Sequence, residues 1–309
     1  MTASDFRVAA VQATPVFLDR EATVDRAVAL IGEAAAAGAG LVVFPEAFVP
    51  GYPDWVWRTT PWGGPSAALH ARLVAQGVEI PGPDVDRLAQ AASEAGTFVA
   101  IGVNERSPTG GTLYNSILYL GSDGSTLGVH RKLIPTGGER LVWGRGNGSD
   151  LVRFDTPGGG VGGLICWENY MPLARAAMYA GGVDIWLAPT WDSTEVWIPT
   201  LRHIAREGRC YVIGTNTYMT GADVTGAGLG TEELYGGTDD VVNPGNACIV
   251  GPNGTVVAGP LTGSTGILYA DIDATWLAKS RMQFDVCGHY SRPDVFHLEL
   301  DRSPPPSGS

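Results

Sequence analysis

Short apolar runs alternate along the chain with segments in which apolar residues recur every three or four positions. The runs at 6–12 (FRVAAVQ), 41–44 (LVVF) and 98–103 (FVAIGV) predict buried β-strands, and the spacing over 19–37 predicts a helix. Further strands are predicted over 113–120, 127–130, 161–165, 185–188, 211–215 and 267–272, and a hairpin is predicted over 248–257. Further helices are predicted over 84–95, 172–180 and 197–207, and a short helix is predicted to end at Lys279. This interleaving predicts an α/β protein with a sheet-containing core.

The chain shows no repeat of fixed period and no linker that would separate two halves. We therefore expect a single domain over 1–300 and a disordered tail over 301–309, which ends in SPPPSGS. Residues 220–245 are rich in Gly, Thr and Asp and are predicted to form a long loop. A loop of that length in a compact domain is usually functional or mobile.

Composition indicates that part of the surface is covered. Only 17% of the residues are charged, against about 25% in an average protein, so we expect a homodimer or a higher homo-oligomer. The net charge of −12 argues against a nucleic-acid partner. The sequence also offers no basic patch for an anionic membrane.

The N-terminal residues and the cysteines indicate the cellular compartment in which the protein works. The start, MTASDFRVAAVQATP, lacks the basic and apolar regions of a signal peptide, and no apolar run is long enough to span a bilayer. The four cysteines, Cys166, Cys210, Cys248 and Cys287, are far apart, which favours neither a metal site nor a disulfide framework. A cytoplasmic location is expected.

Three reactive side chains each follow a predicted strand. The first is Glu46 in FPEAFVPGYP, directly after the strand at 41–44. Proline and aromatic neighbours should partly desolvate this carboxylate and raise its pKa toward the range of a general base.

The second is Lys132 in VHRKLIPTGGER. The chain has 18 Arg but only two Lys, so a retained Lys indicates a position that needs a compact ammonium. Glu139 follows seven residues later. His130 could act as a base, but we expect a satisfied structural histidine.

The third is Cys166 in VGGLICWENYMPLAR, between a predicted strand and a helix that begins near Met171 or Pro172. A thiol at such an elbow is exposed at the sheet edge, and helix amides should lower its pKa. Cys210 and Cys248 lie among apolar strand residues and are expected in the core.

With these motifs the sequence resembles the nitrilase superfamily of carbon–nitrogen hydrolases, from AVQATP near the start to GHYSRPDVF near the end. The resemblance implies a four-layer α-β-β-α sandwich and a Glu-Lys-Cys triad at Glu46 in FPEAF, Lys132 in HRKLIPT and Cys166 in CWEN. It places a further acid at Glu139. It also implies dimers that can build larger spirals, although only 13 residues follow Phe296, which argues against long filaments.

The segments CWENYMPLAR, PTGGERLVWGRGNGSD and GHYSRPDVF resemble those of true nitrilases. We therefore expect hydrolysis of a small organic nitrile to the carboxylic acid and ammonia, through a thioimidate and an acyl-thioester on the cysteine, with no metal or organic cofactor. Aromatic residues are expected to line an apolar substrate pocket: Tyr52, Trp57, Trp167 and Trp191 as binding residues, with Trp62 as a further candidate.

Other functions remain open. An amidase, or a cyanide or nitrile hydratase of the same superfamily, would differ in its product. A catalytically silent member would act as a binding or scaffold protein. A plain Cys-His hydrolase would require His130 or His203.

Overall fold

The computed structural model describes residues 6–303, which form thirteen strands and eight α-helices. The strands are β1 (Phe6–Gln12), β2 (Ala39–Val43), β3 (Phe98–Arg106), β4 (Leu113–Leu120), β5 (Thr126–Arg131), β6 (Arg153–Thr156), β7 (Gly159–Gly163), β8 (Ile185–Pro189), β9 (Tyr211–Thr215), β10 (Tyr218–Thr220), β11 (Val241–Val250), β12 (Val256–Thr262) and β13 (Gly266–Ile272). The helices are α1 (Arg20–Ala36), α2 (Ser66–Ala75), α3 (Pro83–Ala95), α4 (Pro172–Ala180), α5 (Trp197–Gly208), α6 (Gly221–Thr225), α7 (Thr231–Tyr235) and α8 (Ala274–Gln283).

The strands form two mixed sheets. The first has six strands in the order β13-β1-β2-β3-β4-β5, with β1, β2 and β3 parallel. The second has seven, in the order β10-β11-β9-β8-β7-β6 with β12 beside β11, and its parallel strands are β7, β8 and β9. Both sheets thus combine a parallel centre with antiparallel edges.

The buried clusters show how the two sheets and the helices pack in layers. Val8 and Leu41 of the first sheet meet Leu187 and Ile213 of the second in one buried cluster, so the two sheets pack face to face. Helices α1 and α3 cover the outer face of the first sheet, and α4 and α5 cover that of the second. The predicted four-layer α-β-β-α sandwich is confirmed.

Most predicted elements agree with the structure to within a few residues. The β11–β12 hairpin turns at Pro252–Gly254, as the PNG motif predicts. Helix α2 was not predicted from the sequence. Its buried residues are only Leu69 and Leu73, one turn apart, which is too short a pattern to identify a helix.

The prediction of a long loop over 220–245 is wrong. The segment contains α6, α7 and the start of β11. Val224 and Tyr235 are buried in a cluster with Tyr52 and Trp55. Because each helix has only five residues, the sequence pattern showed no periodicity, and the helices are held by this packing.

At the C-terminal end, Asp301–Ser303 lie in neither helix nor strand. The remainder of the predicted disordered tail lies outside the described residues. Within 6–303, no helix combines the length and the apolar character that crossing a membrane would require.

The topology brings several strand ends to one place. Strand β5 runs in the same direction as β2 because two antiparallel steps separate β3 from β5. The carboxyl ends of β2 and β5 therefore share one edge of the first sheet, as those of β7 and β8 share one edge of the second. Side chains that follow these four strands can meet between the sheets.

Candidate active site

The residues Glu46, Lys132, Glu139 and Cys166 come together in the interior, although the strands before them belong to different sheets. Each side chain is almost completely buried. The charges of Glu46, Lys132 and Glu139 all act on the Cys166 thiol. The structure thus brings together the four residues that the sequence selected.

Glu46 is held by three donors. Its Oε1 accepts hydrogen bonds from Lys132 Nζ at 2.8 Å and from Asn115 Nδ2 at 2.7 Å. Its Oε2 accepts one from the Trp191 backbone N–H at 2.7 Å. A carboxylate offers about four lone-pair directions, so one direction on Oε2 is left for a further proton.

Lys132 bridges the two carboxylates. Its Nζ donates to Glu46 Oε1 and, at 2.7 Å, to Glu139 Oε2. An ammonium has three N–H donors, so one donor remains after these two bonds. That donor can serve an anion that forms beside Lys132.

Glu139 is fixed from both sides of its carboxylate. Oε1 accepts the Tyr52 hydroxyl at 2.7 Å, and Oε2 accepts the Thr136 backbone N–H at 2.6 Å in addition to Lys132. Thr136 is the N-cap of a short 3₁₀ helix over Gly137–Leu141, so its bond to Glu139 also satisfies a backbone N–H at the start of that helix. The local sequence therefore holds this carboxylate in place before any substrate arrives.

Cys166 begins a 3₁₀ helix, Cys166–Tyr170, and helix α4 starts at Pro172, as predicted. Its backbone φ is +51°, the left-handed region, which is uncommon for a residue other than glycine. The Thr190 hydroxyl donates to Cys166 Sγ at 3.1 Å. The sulfur thus sits on a tight elbow with one polar partner.

Burial dominates the electrostatics of the site. Burial, with a smaller contribution from Glu139, raises the pKa of Glu46 against the opposing effect of Lys132. Burial alone would lower the pKa of Lys132, but the negative groups around it outweigh burial, and the pKa is raised. Lys132 therefore stays charged near neutral pH, and Glu46 has the raised pKa that the sequence predicts for a general base.

The predictions of an exposed thiol and of a lowered thiol pKa are both wrong, since Cys166 is buried between the two sheets. Burial raises the pKa of Cys166, and the Glu46 carboxylate raises it further, while Lys132 acts in the opposite direction. The helix that begins at Cys166 is a single 3₁₀ turn, and the desolvation of a thiolate outweighs what its amides could supply. Cys166 therefore carries its proton at rest and requires a base.

Aromatic side chains surround the polar groups. The rings of Tyr52 and Trp191 stack in parallel with centroids 4.6 Å apart, and Trp57 Nε1 donates to the Tyr52 hydroxyl at 3.1 Å. Trp167 is half exposed and donates to Asp192 at 2.8 Å. Trp62 is 87% exposed and lines a cavity with His70 and Leu141 that none of the four site residues lines, contrary to its candidate role.

Neither histidine named by the Cys-His alternative is placed to serve Cys166. The two ring nitrogens of buried His130 contact the Asp150 carbonyl and Glu168. His203 lies on the surface, near Glu207. The expectation of a satisfied structural histidine at position 130 is confirmed.

Two polar residues of the site were missed from the sequence. Asn115, a polar residue in the otherwise buried strand β4, contacts Glu46, and Thr190, directly after β8, contacts Cys166. A polar residue inside an apolar strand is a detectable signal. What that residue contacts depends on the pairing of distant segments.

Comparison with known proteins identifies the family. A sequence model of the family described as carbon-nitrogen hydrolase matches residues 7–281. An aliphatic nitrilase of Sinorhizobium fredii is 47% identical over 97% of this chain and 96% of its own length. A bifunctional nitrilase/nitrile hydratase of Lupinus angustifolius is 43% identical over 96% of this chain and 86% of its own.

Among solved structures, a CN-hydrolase superfamily protein from Xanthomonas campestris superposes with a TM-score of 0.73. The match covers 96% of this chain and 100% of that protein at 19% sequence identity. At that identity the likeness concerns the fold.

Proposed function

Since this chain belongs to the carbon–nitrogen hydrolase family and to its nitrilase branch, we propose that it hydrolyses an organic nitrile to the carboxylic acid and ammonia. The observation that carries the proposal is the buried contact of Lys132 Nζ with both Glu46 and Glu139, beside the Cys166 thiol. A buried ammonium between two carboxylates, next to a thiol, suits a reaction in which charge moves among sulfur, nitrogen and oxygen.

The reaction begins at the thiol. Glu46 takes the proton of Cys166 on the free lone pair of Oε2, and the thiolate attacks the nitrile carbon. Glu46 passes the proton taken from Cys166 to the nitrile nitrogen, which gives a thioimidate and restores the carboxylate. The remaining N–H of Lys132 stabilises negative charge on the nitrogen as it forms.

Water completes the reaction in two steps. The first water adds to the thioimidate carbon, and the tetrahedral intermediate releases ammonia to leave an acyl-thioester. The second water hydrolyses the thioester, which releases the acid and restores the Cys166 thiol. Glu46 transfers protons in these steps, and Glu139 holds Lys132 and the second water in position. Two waters and one nitrile give one acid and one ammonia, with no metal or organic cofactor.

The walls of the site support a substrate class. We assign the organic group of the nitrile to the aromatic surface formed by Tyr52 and Trp191, with the half-exposed Trp57 and Trp167 at its outer end. Because these walls are apolar, an uncharged nitrile is favoured over a charged one.

An amide is the second product to consider, because one similar protein is a bifunctional nitrilase/nitrile hydratase. An amide forms if the tetrahedral intermediate expels the thiolate instead of ammonia. The experiment measures ammonia release from aliphatic, aromatic and arylaceto-nitriles with the acid and the amide both quantified. Release of ammonia with the acid supports the proposal, and amide as the sole product would favour a hydratase.

Cys166 can be tested directly as the nucleophile. Cys166→Ala should abolish turnover, whereas Cys210→Ala and Cys248→Ala should retain it, because both of those cysteines are buried among apolar residues of another cluster. Mass spectrometry of enzyme trapped during turnover should find the adduct on Cys166. An adduct on another cysteine would overturn the assignment.

We also propose a single hydrolase domain over 1–300 that works as a homodimer or higher homo-oligomer in the cytoplasm. Large apolar side chains on the surface support the assembly: Leu173, Met282 and Phe296 are 69%, 77% and 76% exposed. The four free cysteines fit a reducing compartment.

A further inference from the structure

Glu168 connects the two loops that carry Lys132 and Cys166. Its buried carboxylate accepts the Leu133 backbone N–H on Oε1 and the Ile165 backbone N–H on Oε2, both at 2.6 Å. Leu133 directly follows Lys132, and Ile165 directly precedes Cys166. One side chain therefore joins the loop after β5 of the first sheet to the loop after β7 of the second.

His130 fixes the orientation of this carboxylate. Its Nδ1 lies 2.7 Å from the Asp150 carbonyl oxygen, and its Nε2 lies 2.9 Å from Glu168 Oε2. A carbonyl can only accept a hydrogen bond, so Nδ1 carries a proton. A second proton then lies between Nε2 and the carboxylate.

The surroundings favour that second proton on the His130 ring, which then pairs with the Glu168 carboxylate. Both side chains are fully buried. Burial alone would lower the pKa of His130, but the Glu168 charge and hydrogen bond outweigh it, and the pKa is raised. An imidazolium beside a carboxylate leaves Glu168 fully available as an acceptor, and charge-assisted bonds are about twice as strong as neutral ones.

We propose that Glu168, oriented by His130, is a positioning residue that sets where Cys166 sulfur lies relative to the Lys132 ammonium. This role rests on the proposed nitrilase chemistry. Neither Glu168 nor His130 is assigned a contact with the reacting atoms. Glu168 acts through the backbone on either side of the site.

The position of the sulfur decides which bond of the tetrahedral intermediate breaks. The carbon of that intermediate bears the Cys166 sulfur, an oxygen and a nitrogen. If the nitrogen receives a proton from the Glu46–Lys132 side, the C–N bond breaks, ammonia leaves and the acid pathway continues. If the intermediate is misplaced and that proton transfer fails, the C–S bond breaks, thiolate leaves and the product is the amide.

The test compares Glu168→Gln with Glu105→Gln. Glu105 is also a buried carboxylate, but it binds the Arg131 and Ser116 side chains and no backbone N–H next to a site residue. In Glu168→Gln the new side-chain amide presents an N–H₂ where an acceptor oxygen is needed, so one of the two loops loses its anchor.

For Glu168→Gln we expect kcat to fall about 10- to 100-fold, since a shift of about 1 Å in reacting groups can cost a factor of 10². KM should change little, and the amide share of the product should rise. Glu105→Gln should lower the melting temperature while kcat per folded molecule and the product ratio stay as in the wild type. The proposal is overturned if the two variants show the same kcat and the same acid-to-amide ratio.

Two further measurements keep the test decisive. If Glu168→Gln does not fold, Glu168→Asp keeps the charge but withdraws the carboxylate by about one C–C bond, 1.5 Å, and should raise the amide share in the same way. His130→Gln keeps a donor to Glu168, so kcat should fall less in this variant than in Glu168→Gln. A larger fall in His130→Gln would contradict the assignment of Glu168 as the anchor and His130 as the residue that orients it.

Alkylation of Cys166 by iodoacetamide separates this proposal from the proposed function, because it requires no nitrile. If the wild type released no ammonia from any nitrile, the proposed function would fail. Alkylation that is slower in Glu168→Gln than in Glu105→Gln would still support the positioning role, and equal rates in the two variants would refute it.

Discussion

At the scale of single residues, the site owes its properties to burial. Glu46, Lys132 and Glu139 would be ordinary ionised groups in water, and Cys166 would have a thiol pKa near 8.5. Away from water the charge state of each side chain depends on its neighbours, since an unpaired buried charge costs free energy. Two carboxylates stabilise the single ammonium, which in turn counters their effect on the thiol.

Lys132→Arg should be almost inactive although the charge is kept. Lys132 is completely buried between two carboxylates, and a planar guanidinium is bulkier and aims its donors differently. We expect kcat to fall by about 10²–10³, the usual cost of losing a well-placed donor.

Arg131→Lys is the matched control. Arg131 pairs with Glu105 and lies over the Tyr114 ring, outside the site. It should lose much less activity, with folding checked by circular dichroism. If Lys132→Arg kept more than about a tenth of the wild-type kcat, the site would need only a positive charge at position 132 and not the ammonium of a lysine.

The pH dependence of kcat/KM should report the protonation of Glu46. Its pKa is raised above the ordinary 4.5, so the carboxylate is protonated at a higher pH than usual and then cannot accept the Cys166 proton. As pH falls, kcat/KM should therefore decline with an inflection above 4.5. The raised pKa of Lys132 means that its loss of charge lies above the ordinary 10.5.

The measurement is kcat/KM as a function of pH, with tryptophan fluorescence showing that the enzyme stays folded. An acid inflection at or below 4.5 would contradict the assignment of Glu46 as the base.

At the scale of elements, close backbone contacts position the site. The segment that carries Glu46 crosses β3 at Gly102. A Cβ at that glycine would lie 2.1 Å from the Pro45 carbonyl oxygen and 2.5 Å from the Ala47 nitrogen. A side chain there must displace the backbone on both sides of Glu46.

Gly102→Ala should therefore lower kcat by at least about tenfold, because a small displacement of Glu46 disturbs proton transfer. Gly32→Ala is the control, since Gly32 lies in α1 with open space around its would-be Cβ. The control should raise the free energy of unfolding by about 0.5–1 kcal/mol and leave kcat unchanged. Equal kcat values for the two variants would show that the contact at Gly102 does not position Glu46.

At the scale of the whole molecule, two sheets enclose the site between them. Glu46 and Lys132 follow strands of the first sheet, and Cys166 and Thr190 follow strands of the second. Relative movement of the sheets would separate the base from the nucleophile. Bonds that cross between them, such as that from the Trp191 N–H to Glu46, oppose this movement.

Self-association is the prediction that belongs to this scale. Few charges and several exposed apolar side chains indicate that part of the surface is buried in an assembly, since stable interfaces between identical subunits are more apolar than ordinary surface. Light scattering at micromolar concentration should give a mass of at least two chains. A fully active monomer of 32.4 kDa would contradict it.

The sequence by itself determined the long elements and three site positions. Hydrophobic spacing predicted β1, α1 and α5 because each signal lies within one segment of the chain. Glu46, Lys132 and Cys166 could be selected because each follows an apolar run in a distinctive local motif. The resemblance carried by those motifs added Glu139 and the arrangement of four layers.

Only the tertiary structure decided which groups touch. Asn115 and Trp191 reach Glu46 across 69 and 145 residues of sequence, and Glu168 anchors Leu133 from 35 residues away. The direction of the Cys166 pKa shift depended on the same packing, since burial by distant segments outweighs the local helix turn. Local patterns determine where a chain can bend and which face is apolar, whereas desolvation and hydrogen bonding depend on neighbours that only the folded chain supplies.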